Sequence, residues 1–243
     1  MVSKLRCVRN AGSHRPSQTR RHIAGAILLA GCLALLWNLP LGAGTPATVT
    51  FSLDFPGSEP EHYSISVQSD GRAHYECTAR ISQDSDDRED YQTDFVVTEA
   101  TRFRIFDLAA EAHYFSGKID SGNKKLAFTG SKKLTYGDDQ RSFVADYNFS
   151  PQPAVQQLTS LFQNVAATLE FGRRLAHFHR YQKLALDDEL KRMEDQARHG
   201  DLAELQAVRP VLEEIFDDPS VINVVRARAQ RIMEMGKNAS TQR

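Results

Sequence analysis

Cysteine is nearly missing from the part of the chain that can form a globular core: of Cys7, Cys32 and Cys77, only Cys77 lies beyond residue 44. No intrachain disulfide can staple that part, so its fold must rest on packing. Acidic residues are absent from residues 1–44, which hold six bases, Lys4, Arg6, Arg9, Arg15, Arg20 and Arg21. Glycine (14) and proline (9) are few among 243 residues, which excludes collagen-like and low-complexity chains. Beyond residue 44 the chain carries 24 bases against 31 acids, a balance that argues against a nucleic-acid partner. The familiar catalytic spacings are also lacking: there is no His-Glu-x-x-His, no Gly-x-Ser-x-Gly, no phosphate loop and no dinucleotide fingerprint. His177 and His179 lie about 200° apart around a helix and cannot close on one metal ion. Neither cofactor nor metal is expected.

What is present begins with an address. Ile23 to Trp37 is an unbroken run of apolar or small residues, and low polarity continues to Gly44. From Ile23 to Ala43 a helix would measure roughly 31 Å, the thickness of a hydrocarbon core. Residues 1–22 therefore read as a basic cytoplasmic n-region and 23–44 as a signal-anchor or signal peptide, with the bulk of the chain sent to the periplasm. Three endings share these residues. Leu29-Ala30-Gly31-Cys32 resembles a lipobox, which makes Cys32 a lipidation candidate, yet apolar Leu33–Trp37 suits an uncleaved anchor better than a lipoprotein tether. Small Gly42-Ala43-Gly44 suits a signal peptidase, and Thr19-Arg20-Arg21-His22-Ile23 resembles a twin-arginine signal. A single-pass membrane protein is the first expectation, and a lipoprotein or secreted protein the alternative.

Residues 45–150 read as an α+β domain, an antiparallel sheet with one packed helix. His62–Gln68 and Ala73–Ile81 alternate with period two. A two-residue loop at Asp70-Gly71 would mix their faces, whereas a three-residue loop, Ser69–Gly71, pairs Val67 with Ala73, Ile65 with Tyr75 and Tyr63 with Cys77. That register makes Cys77 a core-facing, unreactive thiol. The acidic stretch Gln83–Asp90 invites a calcium reading, but counting from Asp84 the sixth and twelfth positions hold Glu89 and Phe95 instead of Gly and Glu. A strand over Tyr91–Val97 follows, and then a helix capped by Thr98 with Phe103, Phe106 and Ala110 on one face and Ile105, Ala109 and Ala112 beside them, stopped at Ser116-Gly117. Lys125–Phe128, Lys132–Tyr136 and Arg141–Asn148 complete the sheet, the last two joined through Gly137-Asp138-Asp139. Ser121-Gly122-Asn123-Lys124 fits a bare Ser-x-x-Lys spacing, but its polar surroundings read as a loop.

The run Tyr63-x-Ile65-x-Val67-x-x-Asp70-Gly71-x-Ala73-x-Tyr75, followed by a helix ending His113-Tyr114-Phe115-Ser116, resembles a group of small exported bacterial domains of unknown function. That group usually carries paired cysteines before the first Tyr, where this chain has Phe55–Pro60. The resemblance implies fold and export, and it covers under half of the chain.

Residues 151–236 read as a helical region and 237–243 as a disordered tail. Val155, Leu158, Phe162, Val165, Leu169, Gly172, Ala176 and His179 mark a long amphipathic helix that can continue to His199 or restart at Asp187-Asp188-Glu189, with Gly200 ending it. Asp201 is expected to cap another helix and Asp218-Pro219 the last. Pro210–Ala229 resembles a single HEAT-type helical hairpin, which without a second copy must pack on the long helix. Arg173, His177 and Arg180, spaced i, i+4, i+7 among aromatics, form a basic stripe that could contact anionic lipid or an envelope protein. The sequence thus points to a binding or scaffolding module of the bacterial envelope, with an enzyme whose site assembles from scattered residues as the alternative.

Overall fold

The fold is known from a computed structural model that describes residues 44–80 and 88–241. The apolar run, Cys32, the arginine pair and most of the acidic stretch after Arg80 lie outside them. No helix among the described residues is long and apolar enough to cross a membrane. Residues from Gly44 onward form one compact unit.

Six strands build an antiparallel sheet: β1 (Thr48–Asp54), β2 (His62–Gln68), β3 (Arg72–Arg80), β4 (Arg88–Val96), β5 (Ser131–Gly137) and β6 (Ser142–Tyr147), in the order β4-β3-β2-β1-β5-β6. The β2–β3 register pairs Tyr63 with Cys77, Ile65 with Tyr75 and Val67 with Ala73, as the three-residue loop requires. Gly71 sits there at φ +92°, a conformation that costs glycine little. Two strand assignments differ from expectation. β1, assigned to no element from sequence, is a central strand; its alternation Thr-Val-Thr-Phe-Ser-Leu buries Val49, Phe51 and Leu53. Lys125–Phe128 is not a strand but part of an exposed loop, because Asn123 and Asn148 draw its backbone into turns.

Among the described residues five helices follow or interrupt the sheet: α1 (Glu99–Glu111), α2 (Pro153–Tyr181), α3 (Leu186–His199), α4 (Arg209–Asp217) and α5 (Asn223–Thr241). The Thr98 hydroxyl caps α1 by accepting from the Thr101 amide. The buried stripe of α1 is Thr101, Ile105, Leu108 and Ala109, with Ala112 just beyond it. Phe103, expected inside, is 54% exposed under the Arg102 guanidinium, because it lies roughly half a turn away from Ile105. After α1 the chain turns through His113, Tyr114 and Phe115, all at positive φ, which drops Phe115 into the core.

α2 ends at Tyr181, short of His199; a single 3-10 turn, Lys183–Ala185, intervenes before α3 begins with Asp187, Asp188 and Glu189 in its first turn. Asp201 begins no helix: residues 201–204 are irregular, Glu204 sits at φ +61°, a 3-10 turn spans Leu205–Val208, and α4 starts at Arg209 with Pro210 in its first turn. Asp218 likewise precedes a turn rather than a helix, its carboxylate accepting from Ser220, and α5 begins five residues later. α5 runs on to Thr241, through residues where the sequence suggested a tail. α4 and α5 pack as a hairpin against α2 and α3.

Both α1 and α2 cover one face of the sheet, so two helices occupy it where one was expected. Phe162 of α2 stacks on Phe51 of β1 with ring centroids 5.5 Å apart, both fully buried. The opposite face is polar and mixed: short side chains of Thr50, Ser52, Ser64, Ser66 and Thr135 line its centre, with Glu76 opposite Ser64, Lys133 opposite Ser52 and Arg72 and Arg80 toward its β4 side. Cross-strand pairs His62–Asp54 and His74–Asp94, each at 2.7 Å, punctuate it.

Phe162→Ala removes the ring that joins sheet and helices. It is expected to cost about 3–5 kcal/mol, read as a lowered urea midpoint.

Candidate functional site: a buried charge network at the sheet–helix junction

The richest assembly of chemically capable side chains lies where α2 crosses the inner face of β3 and β4. Alternation places Tyr75 and Cys77 on that face, and Tyr91 of β4 stands opposite Cys77. From α2 comes Glu170, almost wholly buried. Its Oε1 accepts from the Tyr75 hydroxyl at 2.8 Å and the Cys77 thiol at 3.2 Å, while its Oε2 accepts from Arg173 Nε at 3.1 Å and Nη2 at 3.0 Å. Arg173 also donates to the Arg80 carbonyl at 3.0 Å and lies 3.9 Å from Glu59. The network continues through Arg174, 3.8 Å from Glu170 and bonded at 2.7 Å to fully buried Glu189, which in turn pairs with Arg192.

This geometry corrects the basic stripe. Arg173 is only 6% exposed, because Glu59 and the end of β3 close over it, and it offers nothing to an external partner. His177 is half-buried with its ring against Phe178 and Tyr181. Arg180 alone is fully open, its guanidinium 5.8 Å above the Tyr181 ring. Glu170 was not among the residues nominated from sequence. A signal existed, since Glu170 and Arg173 stand at i, i+3 inside an otherwise apolar seam of Leu169, Phe171 and Gly172.

The electrostatics suit a lock rather than a reaction. Burial, reinforced by the Glu170 charge, pushes the Cys77 thiol up to about 12, so it stays a neutral donor and not a nucleophile. Burial and Glu170 raise the Tyr75 phenol well above its ordinary range, and burial raises Tyr91. Burial opposes the Arg173 charge, but Glu170 outweighs it and the guanidinium is held more firmly protonated than usual. Each oxygen of Glu170 already accepts from two or more donors, which leaves no free base.

Other polar clusters are structural in the same sense. Asp218 accepts from Lys183 at 2.6 Å and Ser220 at 2.7 Å and bonds His179 at 2.9 Å, and Lys183, followed by Ser220 and His179, holds it well below the usual carboxylate range. Lys183 Nζ also donates to Ser220 Oγ at 2.5 Å, but an ammonium clamped on a carboxylate cannot take the serine's proton. Glu194 of α3 gathers Arg198, Arg228 and Arg231, of which Arg231 does most to lower its pKa. A cleft of about 420 Å³ beside the start of α1 contains Glu204, whose carboxylate is taken up by the Thr98 amide at 2.7 Å and hydroxyl at 2.8 Å and by Gln206. Ser121 Oγ accepts from the Asn123 amide within a turn, so the Ser-x-x-Lys spacing is loop geometry. No group of three or more His, Cys, Asp or Glu among the described residues is placed to hold a metal ion. Compared with protein-family models and with curated proteins, the chain matches none.

Removing Glu170 leaves Arg173 buried without its carboxylate, so Glu170→Ala is expected to cost about 3–5 kcal/mol in urea unfolding.

The raised pKa of Cys77 also carries a pH signature. Between its ordinary value of 9.0 and about 12 the folded thiol keeps a proton that the unfolded one has lost, so stability present below pH 9 is lost as pH rises. Tyr63, Tyr75, Tyr91 and Tyr147, all raised chiefly by burial, act in the same direction above pH 10. Lys132, lowered by burial, opposes them. The urea midpoint is expected to fall from pH 9 upward.

Proposed function

We propose that the chain is a membrane-anchored extracytoplasmic protein of the bacterial envelope that acts by binding or scaffolding rather than by catalysis. Support for the address comes from the six bases of residues 1–22 followed by the apolar run Ile23–Trp37. The observation that carries the binding reading is the commitment of the buried reactive groups. The thiol of Cys77 and the phenol of Tyr75 are neutral donors to one saturated carboxylate, which leaves the chemistry of this chain to its surfaces.

One such surface is the outer face of the sheet. Rows of short hydroxyls from Thr50, Ser52, Ser64, Ser66 and Thr135 offer donors and acceptors at regular spacing, with Lys133 opposite Ser52 and Glu76 opposite Ser64 adding one charge of each sign. Such a face suits an extended polar partner of the envelope. The same face keeps the sheet from needing a second apolar layer.

Fractionation tests the reading. The protein is expected to sediment with membranes, with residues 45–243 protected from protease in intact cells and digested once the outer barrier is opened. Recovery of the full-length chain in the soluble cytoplasmic fraction would overturn it.

A further inference from the structure

Between Gly117 and Ser131 the chain leaves the body of the fold in a loop whose residues Gly122 to Thr129 are all exposed. Its composition runs against the acidic balance of its region. Residues 117–133 hold Lys118, Lys124, Lys125, Lys132 and Lys133 against one acid, Asp120. Two of these lysines are occupied, Lys132 inside the fold and Lys133 beside Asp146 at 3.7 Å. Lys124 and Lys125 pair with no carboxylate among the described residues, and they directly precede Leu126 in the exposed segment that also holds Phe128. Leu126 is 40% exposed, Phe128 59%, and Phe149, at the loop's foot, 43%. Apolar side chains left in water beside exposed lysines cost free energy and mark a surface to be covered.

The loop is also built to hold its shape. The Asp120 carboxylate accepts from the amides of Gly122 at 2.8 Å and Asn148 at 3.1 Å. Asn148 returns bonds to the other limb, its Oδ1 accepting from the Thr129 amide at 3.0 Å and its Nδ2 donating to the Ala127 carbonyl at 3.0 Å. Beneath them, buried Lys132 spends its ammonium on the carbonyls of Thr129 at 2.9 Å and Asn148 at 3.0 Å. Gly130, at φ +96°, lies so close to Leu53 that a Cβ would come within 2.6 Å of it. Phe128 meets Phe55 edge-on, with centroids 5.9 Å apart, and otherwise projects outward. The loop thus presents its apolar tip at little ordering cost on binding.

We infer that the loop Gly117–Gly130 docks on an anionic lipid surface, with Leu126 and Phe128 entering the acyl boundary and Lys124 and Lys125 meeting the headgroups. Net positive charge around an apolar tip matches an anionic bilayer in both parts, the lysine stems covering the apolar margin while their ammonium groups reach phosphate. The inference does not depend on residues 23–44, which would hold the chain at a membrane of any charge.

The test uses the full chain with Trp37→Phe and Phe128→Trp, so that the sole indole reports the loop. Its emission is followed on phosphatidylcholine vesicles with and without phosphatidylglycerol, using brominated acyl chains as quenchers from within and acrylamide from the water. The expected result is a blue shift and bromine quenching only when phosphatidylglycerol is present. Added salt should weaken it, and Lys124→Glu with Lys125→Glu should weaken it by at least about tenfold, with unchanged melting. An indole that stays open to acrylamide on both vesicles overturns the inference, as does a charge reversal without effect. Flotation reports the other reading separately: a chain that floats with both vesicles while its indole stays in water keeps the anchor and loses the loop. A chain that floats only with phosphatidylglycerol and buries its indole keeps the loop and loses the anchor.

Discussion

A single carboxylate, that of Glu170, sets the terms on which the helices meet the sheet. Burying an ionised glutamate costs several kcal/mol, and only close, well-directed partners offset it. Those partners come from two separate elements: Tyr75 and Cys77 from β3, and Arg173 from the next turn of α2 itself. Arg173 is in turn held by the Arg80 carbonyl and by Glu59, and Arg174 passes the alternation of charge to Glu189 and Arg192. Sliding or rotating α2 by a residue would strand one of these charges, so the network selects one seating of the helix where apolar packing alone would tolerate several. Phe162 on Phe51 supplies attraction along the same seam, and Glu170 supplies direction.

That commitment shapes what the rest of the molecule can do. The Cys77 thiol and the Tyr75 phenol are protonated donors to Glu170, each of whose oxygens accepts two or more bonds. The exposed surface, for its part, is divided. The outer sheet face is polar and marked by His–Asp pairs, whereas the Gly117–Gly130 loop is basic and apolar on a hydrogen-bonded base. On the proposed reading, the loop meets a lipid headgroup layer and the sheet face a polar partner.

Much of the local structure was legible because short-range rules decide it. The β2–β3 register followed from the alternation of Tyr63, Ile65 and Val67 against Ala73, Tyr75 and Cys77, since a one-residue slip would turn every apolar side chain outward. The Thr98 cap and the end of α3 at Gly200 likewise rest on a few neighbouring atoms. β1 alternates as cleanly as β2 and is bounded by Pro46 on one side and Pro56-Gly57 on the other, so its signal was in the sequence; only its central place, between β2 and β5, depends on pairing with residues about 80 positions away. Asp201 and Asp218 look like helix caps, but an Asx side chain satisfies a tight turn equally well, and Ser220 took that bond at Asp218.

By itself, then, the sequence determined the α+β character, the β2–β3 hairpin pairing and the inward thiol, which short-range rules decide, together with the uneven charge. The candidate surface was different. Arg173, His177 and Arg180 share a helical spacing that looks solvated, and nothing nearby in sequence shows that Glu59 and Arg80 close over the first of them. The same holds for Phe103, displaced from the core by an Ile105 stripe that fits between α2 and the sheet. Tyr75 and Glu170 are 95 residues apart, and the exposed lysines around Phe128 acquire meaning only because Asp120, Asn148 and Lys132 close the loop beneath them. Only the tertiary structure decided which charges are buried and which are offered, because the cost of burying a charge depends on partners that folding alone brings within reach.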